Sequence, residues 1–412
     1  MSKKTIIIGI FILFFAFIAV FVWFYLSSTD QAAPTTPTQT STQDLSPFGS
    51  SNTTKPNSST TTDVGTIIDS TGKPKPILRL LSSEPIASGI SFEKSTTTAV
   101  RFIERATGHI YETTMDDTEV RRISNTTIPK IYNAIWSADA SSLVLQFLKD
   151  DNQTIQTFVA KLATNNATSS RISTSVVQGV SLGDNLKGIT VSNDRKSVLF
   201  LVSDESGVSG ITANFDGSLK KKIFGIAARE WQVSWPTTDT FLMNTKPTSY
   251  MSGYAYLVNK KTGLFNKIAE NVRGLTTSVN KDLSFALIGE GDGATSNLST
   301  LNLKTRSFIP LATKTLPEKC VWSSIDPSSA FCAIPKEIPR GSYPDVWYQG
   351  VVSFTDSIWK IDASKGTVSL VFDIEQETGR KLDITNLELT KNESYILFTD
   401  KTDLSYWSLK IN

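Results

Sequence analysis

The chain has one histidine, two cysteines and almost no net charge, with 41 Lys and Arg against 39 Asp and Glu in 412 residues. Each scarcity removes a class of chemistry. With His109 alone, no mechanism that needs two imidazoles is open, and two cysteines cannot build a Cys-rich zinc site. Balanced charge gives no overall field to draw nucleic acid. His109, the one imidazole, starts a predicted strand. Long charged helix-forming runs are also missing. Serine, threonine and aromatics are plentiful instead, a mixture that favours strands.

One long apolar run stands near the start. "MSKK" precedes the uncharged stretch "TIIIGIFILFFAFIAVFVWFYL", Thr5 to Leu26. At about 1.5 Å per residue this spans roughly 30 Å, the thickness of the bilayer core. The run is longer than the core of a cleaved leader, and it ends in Trp23 and Tyr25, which suit the membrane interface. Cleavage near Ala32 or Ala33 is the alternative. Lys3 and Lys4 place residues 1–4 in the cytoplasm by the positive-inside rule. The expectation is therefore a single-pass signal anchor over residues 5–26, with everything after it extracytoplasmic. Residues 27–74 are rich in Ser, Thr, Pro, Asn and Gln, with Phe48 their one aromatic. They cannot bury enough apolar surface to offset ordering entropy, so a disordered linker averaging roughly 40 Å end to end is expected. Residues 75–412 remain for one folded domain.

Within that domain one phrase recurs. "AIWSADASSLVLQF" at Ala134 reads as two short strands around a polar turn. "ITVSNDRKSVLFLV" follows at Ile189, "VSWPTTDTFLMNT" at Val233, "TTSVNKDLSFALIG" at Thr276, "CVWSSIDPSSAFCAI" at Cys320 and "LELTKNESYILFT" at Leu387. A degenerate copy, "ISFEKSTTTAVRFIE", begins at Ile90. The aligned positions are Phe92, Trp136, Val191, Trp235, Ser278, Trp322 and Leu389. Most steps are about 44 residues, the period of a β-propeller with four strands per blade. The last copy stops at "LSYWSLKIN", a third strand with no fourth behind it, while "TGKPKPILRLLSSEPIASGISF" is an unclaimed fourth strand ahead of the first copy. Pairing the two closes a ring and removes two sheet edges. The predicted fold is all-β: a seven-bladed β-propeller whose N-terminal strand closes the last blade, preceded by one transmembrane helix.

"WSADASSLVLQF" and "VSNDRKSVLFLV" resemble the W-S-P-D-G-x-x-[IL]-x-[FY] repeat of TolB-like, WD-repeat-type β-propellers over about Ile77 to Asn412. No copy keeps the full P-D-G turn, and Ser278 and Leu389 replace the aromatic. The resemblance implies a non-catalytic, extracytoplasmic scaffold that binds a protein or a cell-envelope component, without a cofactor or metal. A propeller that merely organises a larger surface assembly is a related reading. The alternative is a glycan hydrolase or lyase working through loop carboxylates such as Asp345 and Asp356, a pairing that requires the two groups to converge.

Asp139, Asp194 and Asp239 recur in the hairpin turns, where Asp accepts a backbone N–H from two residues on. Cys320 and Cys332 flank a turn centred on Asp326, so equal counting on both arms sets them opposite one another on paired strands. Opposed residues lie within reach of a disulfide, and the expected compartment is oxidising, so a bridge is expected, with a buried pair of thiols as the other reading. The sixth unit carries a long insertion, "PKEIPRGSYPDVWYQGVVSFTD", Pro335 to Asp356. Tyr343, Asp345, Trp347 and Tyr348 form the candidate ligand-binding group, because amphipathic rings in loops make binding hot spots. They could equally fold back onto the channel or a neighbouring blade.

Overall fold

The chain divides into two units, Met1–Thr60 and Thr61–Asn412. The computed structural model describes residues 66–68, 74–163, 175–291 and 293–411. The expected anchor and most of the expected linker lie outside the described residues. Among the described residues no helix is long and apolar enough to cross a membrane.

Among the described residues the second unit is built mainly of seven antiparallel sheets of four strands each. Each sheet is one blade, with strands a to d running outward from the axis. The inner strands a are Ile86–Lys94, Ile131–Trp136, Gly188–Val191, Trp231–Thr237, Thr276–Val279, Cys320–Trp322 and Ile384–Leu389. All seven aligned repeat positions fall within them. The chain is thus the seven-bladed propeller that the TolB-like repeat implies. Strands b are buried almost throughout, as in Thr240–Thr245 and Tyr395–Asp400, because neighbouring blades cover both of their faces. The core is accordingly split into clusters between blades. Trp136 and Leu143 pack with Ile90 and Ile103 between blades 1 and 2, and Phe398 and Trp407 pack with Phe331 and Ile358 between blades 6 and 7.

Worn repeat positions have compensations. Ser278 stands where four other blades carry an aromatic, and its hydroxyl accepts the indole N–H of Trp322 from the next blade at 3.0 Å. In the a–b turns, Asp139 accepts from the Ser141 N–H at 3.1 Å and Asp194 from the Lys196 N–H at 3.2 Å. Asp282, Asp326 and Asn392 repeat the contact with Ser284, Ser328 and Ser394. Asp239 departs from the expectation. Thr237 pairs with Thr240 in a two-residue turn, and the Asp239 carboxylate accepts from Lys261 at 3.2 Å.

The ring closes as the unmatched ends require. Leu78–Ser82 is strand d of blade 7, paired with strand c, Tyr406–Lys410, with Leu78 opposite Leu409. Arg79 then ties this strand to blade 1, donating to the Thr113 hydroxyl at 2.9 Å and to the Thr114 carbonyl at 3.1 Å. Lys75 donates to the Met115 carbonyl. A short hairpin of Thr66–Ile68 with Pro74–Pro76 precedes the closing strand, so regular pairing begins inside the stretch read as linker.

Cys320 and Cys332 are direct cross-strand partners, with Cα atoms 4.0 Å apart, and they form a disulfide. Cys320→Ser is expected to lower unfolding stability by about 2 to 3 kcal/mol, the loop-closure value for so short a span. Denaturant unfolding, with non-reducing peptide mapping beside it, measures this. An unchanged midpoint would show that the bridge adds nothing to the ladder already there.

Candidate functional site: the axial channel and its roof

The seven inner strands enclose a channel. One cavity of about 770 Å³ runs along blades 3 to 6, and another of about 660 Å³ runs along blades 7, 1, 2 and 3 and also touches blades 5 and 6. They share Ile189, Thr190, Val191, Arg195 and Val321, so they are two parts of one lumen. Short polar side chains such as Ser88, Asn133, Thr277 and Asn386 supply much of its wall. Antiparallel strands put the a–b turns at one mouth and the d–a and b–c connections at the other.

The blade 6 insertion lies at the second mouth, between strand b, Ser329–Pro335, and strand c, Asp356–Asp362. It holds a single helical turn, Asp345–Tyr348. Tyr343 is fully buried and Trp347 is 5% exposed; both pack with Phe354 and Leu316. The Trp347 and Phe354 rings stack at 6.1 Å with an 11° tilt. The backbone of Tyr343 lies so close to Gly274 and Gly291 that a Cβ at either would overlap its carbonyl. Of the rings proposed from sequence, Tyr348 alone keeps substantial exposure, at 36%. Its hydroxyl donates to Glu318 and accepts from the Gln232 amide at 3.2 Å. Gln232 and Glu318 line the channel, so Tyr348 sits across its lip. Burial holds the Glu318 carboxyl above its ordinary value and pushes the Tyr348 phenol well above its own.

The two carboxylates considered for glycan chemistry are held apart by different partners. Asp345 accepts from the Ser249 N–H at 2.7 Å and the Ser249 hydroxyl at 2.9 Å. Although loss of water opposes it, these bonds hold Asp345 below its ordinary value. Asp356 is fully buried, with Oδ2 at 2.8 Å from Lys319 Nζ and accepting the Ile384 N–H at 2.7 Å. Lys319 is fully buried too, and its Nζ reaches Asp383 Oδ1 at 2.5 Å. Trp347 Nε1 donates to both oxygens of Asp383, at 3.1 and 2.9 Å. The ammonium lies 5.0 Å from the Trp347 ring centre and 5.1 Å from that of Phe354. This buried trio latches the insertion to the d–a links of blades 6 and 7. Burial pushes Asp356 up to about 6, against the pull of Lys319.

Nothing in the sequence flagged Lys319 or Asp383; they lie 64 residues apart in connecting segments, and only the fold brings them together. His109 is half-buried before strand c of blade 1, with Nε2 3.3 Å from the Thr127 hydroxyl. Among the described residues no cluster of three or more His, Cys, Asp or Glu side chains could hold a metal.

No family model matches the chain, and no curated protein does. Several solved structures resemble it at low identity. An oligogalacturonate lyase from Vibrio parahaemolyticus is 10% identical, with TM-score 0.49, covering 84% of this chain and 96% of that one. The β-propeller domain of the trilobed protease from Pyrococcus furiosus is 9% identical, with TM-score 0.49 and coverage of 80% and 95%. TolB from Acinetobacter baumannii is 11% identical, with TM-score 0.39, covering 73% of this chain. The match spans 59% of the length of that TolB. These are similarities only, and their names point in no single functional direction.

Proposed function

We propose that the chain is a membrane-tethered, extracytoplasmic scaffold that binds a protein or cell-envelope component at the roofed end of its channel. The observation that carries this reading is the placement of Tyr348. It is a half-exposed aromatic set by two hydrogen bonds over a polar channel mouth, on a loop latched rigidly from beneath. A rigid aromatic anchor of this kind supplies binding energy at little conformational cost. The hydrolase or lyase reading draws less support, because Asp345 and Asp356 are each engaged by separate partners. Tethering rests on the uncharged run Thr5–Leu26 and the lysines before it.

Protease added to intact cells is expected to release the propeller, which then serves as bait in envelope extract. Tyr348→Ala should leave melting unchanged and weaken partner capture by about thirtyfold, the effect of removing a hot-spot ring worth about 2 kcal/mol. Trp347→Ala should act the other way, lowering stability first, since that ring is core. Undiminished capture by a folded Tyr348→Ala protein would remove the roofed mouth as the binding surface.

A further inference from the structure

The opposite stretch of the lumen has a different character. Its cavity of about 660 Å³ is lined by three cationic side chains, Arg195, Lys281 and Lys391, against one carboxylate, Glu388. The cations stand on the a–b turns of blades 3, 5 and 7, so they converge on one mouth from separate parts of the ring. Arg195 extends past blade 2, donates Nη1 to the Trp136 carbonyl at 3.2 Å, and stops with Nη2 3.8 Å from Glu388 Oε2. That separation balances charge without making a hydrogen bond. Glu388 meanwhile directs Oε1 at the Ser91 N–H and hydroxyl, both at 2.8 Å.

A recess opens between blades 7 and 1 beside this belt. Tyr406 is 3% exposed, and its ring reaches inward from strand c of blade 7 to the lumen. Gly89 makes room for it, because a Cβ there would overlap the phenol carbon and oxygen. Glycine on an inner strand marks a close approach. Burial holds the phenol well above its ordinary value, with Glu388 adding and Arg195 opposing, so it stays a donor. Arg195 and Lys281 put like charge on the same cavity wall, which an anion bound there would balance.

We infer that this stretch of the lumen binds a small hydroxylated molecule through a compact anionic group, with Arg195 and Lys281 taking the charge and Tyr406 donating to a neighbouring oxygen. Asn386 in the wall offers an amide to further hydroxyls, and Asn133, whose Nδ2 donates to Gln146 at 2.8 Å, offers its Oδ1. The inference rests on the reading of the channel as the binding surface, and adds the ligand's chemistry at its other mouth.

The test is calorimetric titration of the released domain with gluconate, with sorbitol, which has the same carbon chain without the carboxylate, and with inorganic phosphate. Gluconate is expected to bind at least about tenfold more tightly than sorbitol, in line with the strength of hydrogen bonds to charged groups. Arg195→Gln and Lys281→Gln should each weaken gluconate by about tenfold or more. Tyr406→Phe should weaken gluconate and spare phosphate. Lys281 is exposed, so its variant keeps the fold even where Arg195→Gln does not. Phosphate binding as tight as gluconate would support the anionic site and assign its selectivity to charge alone. Sorbitol binding as well as gluconate, no saturation by gluconate at about 10 mM, or full binding by the folded Lys281→Gln protein would each overturn the inference. If partner capture at the roofed mouth persists while gluconate fails, this inference falls alone; if both fail, the channel reading falls with it.

Discussion

Deletion of Ile77 to Ser83 is expected to abolish cooperative folding of the whole propeller. The segment includes Leu78 and Leu81, 8% and 4% exposed, and burial of a leucine is worth about 1.5 to 3 kcal/mol. It also removes the ladder to Tyr406–Lys410 and the bonds from Arg79 into blade 1. Together these approach the stability of a typical domain, about 5 to 15 kcal/mol. The loss reaches beyond blade 7, because each core cluster is shared by two blades and blade 1 loses its Arg79 contacts. Thermal melting followed by circular dichroism reads the effect, with deletion of Thr35 to Thr60 as the comparison expected to change little. Equal melting curves for the two deletions would mean that closure contributes nothing to stability.

Lys319→Met is expected to cost about 3 to 5 kcal/mol, the range for removing one partner of a buried ion pair. Asp356 and Asp383 would then face each other without a cation in a site sealed from water. Asp356→Asn should behave in the opposite way. With both carboxylates ionised the trio carries one excess negative charge, and Asp356 Oδ1 has no partner among the described residues. The folded pKa of Asp356 is raised from 3.8 to about 6. Between those values the native state holds more protons than the unfolded one. Stability from this group is therefore fully present below the unfolded value and is lost as pH rises through about 6. Asp356→Asn should abolish that acid-side gain and leave stability above pH 6 equal or higher. Urea unfolding at pH 4.5 and 7.5 decides it, since parallel changes in both proteins would assign the titration to another group.

Much of this architecture was legible because it is local and repeated. A turn acceptor such as Asp194, an apolar run after it and a period near one blade can be read without knowing the third dimension. Cys320 and Cys332 were legible for the same reason, as a hairpin fixes its own register. The insertion was legible only as chemistry. Trp347 and Tyr348 are adjacent aromatics in one loop, and only packing turned the first inward onto Phe354 while the second stayed at the lip. Lys319, Asp383, Gly89 and Tyr406 gave no signal, because each acquires its role from a residue on another blade or in the insertion.

The ring closure also sets an order of events. Leu78–Ser82 is synthesised before the rest of the propeller, yet its partner, Tyr406–Lys410, comes last. The pairing therefore has very high contact order, and the nascent strand must wait with its edge bare while the other blades form. Pro74 and Pro76 just ahead of it cannot donate to a foreign strand, and Lys75 and Arg79 charge the edge that waits. Those four residues act as gatekeepers against premature pairing between chains, and their replacement by apolar residues should show first as aggregation during refolding, before any change in the melting point of the finished ring.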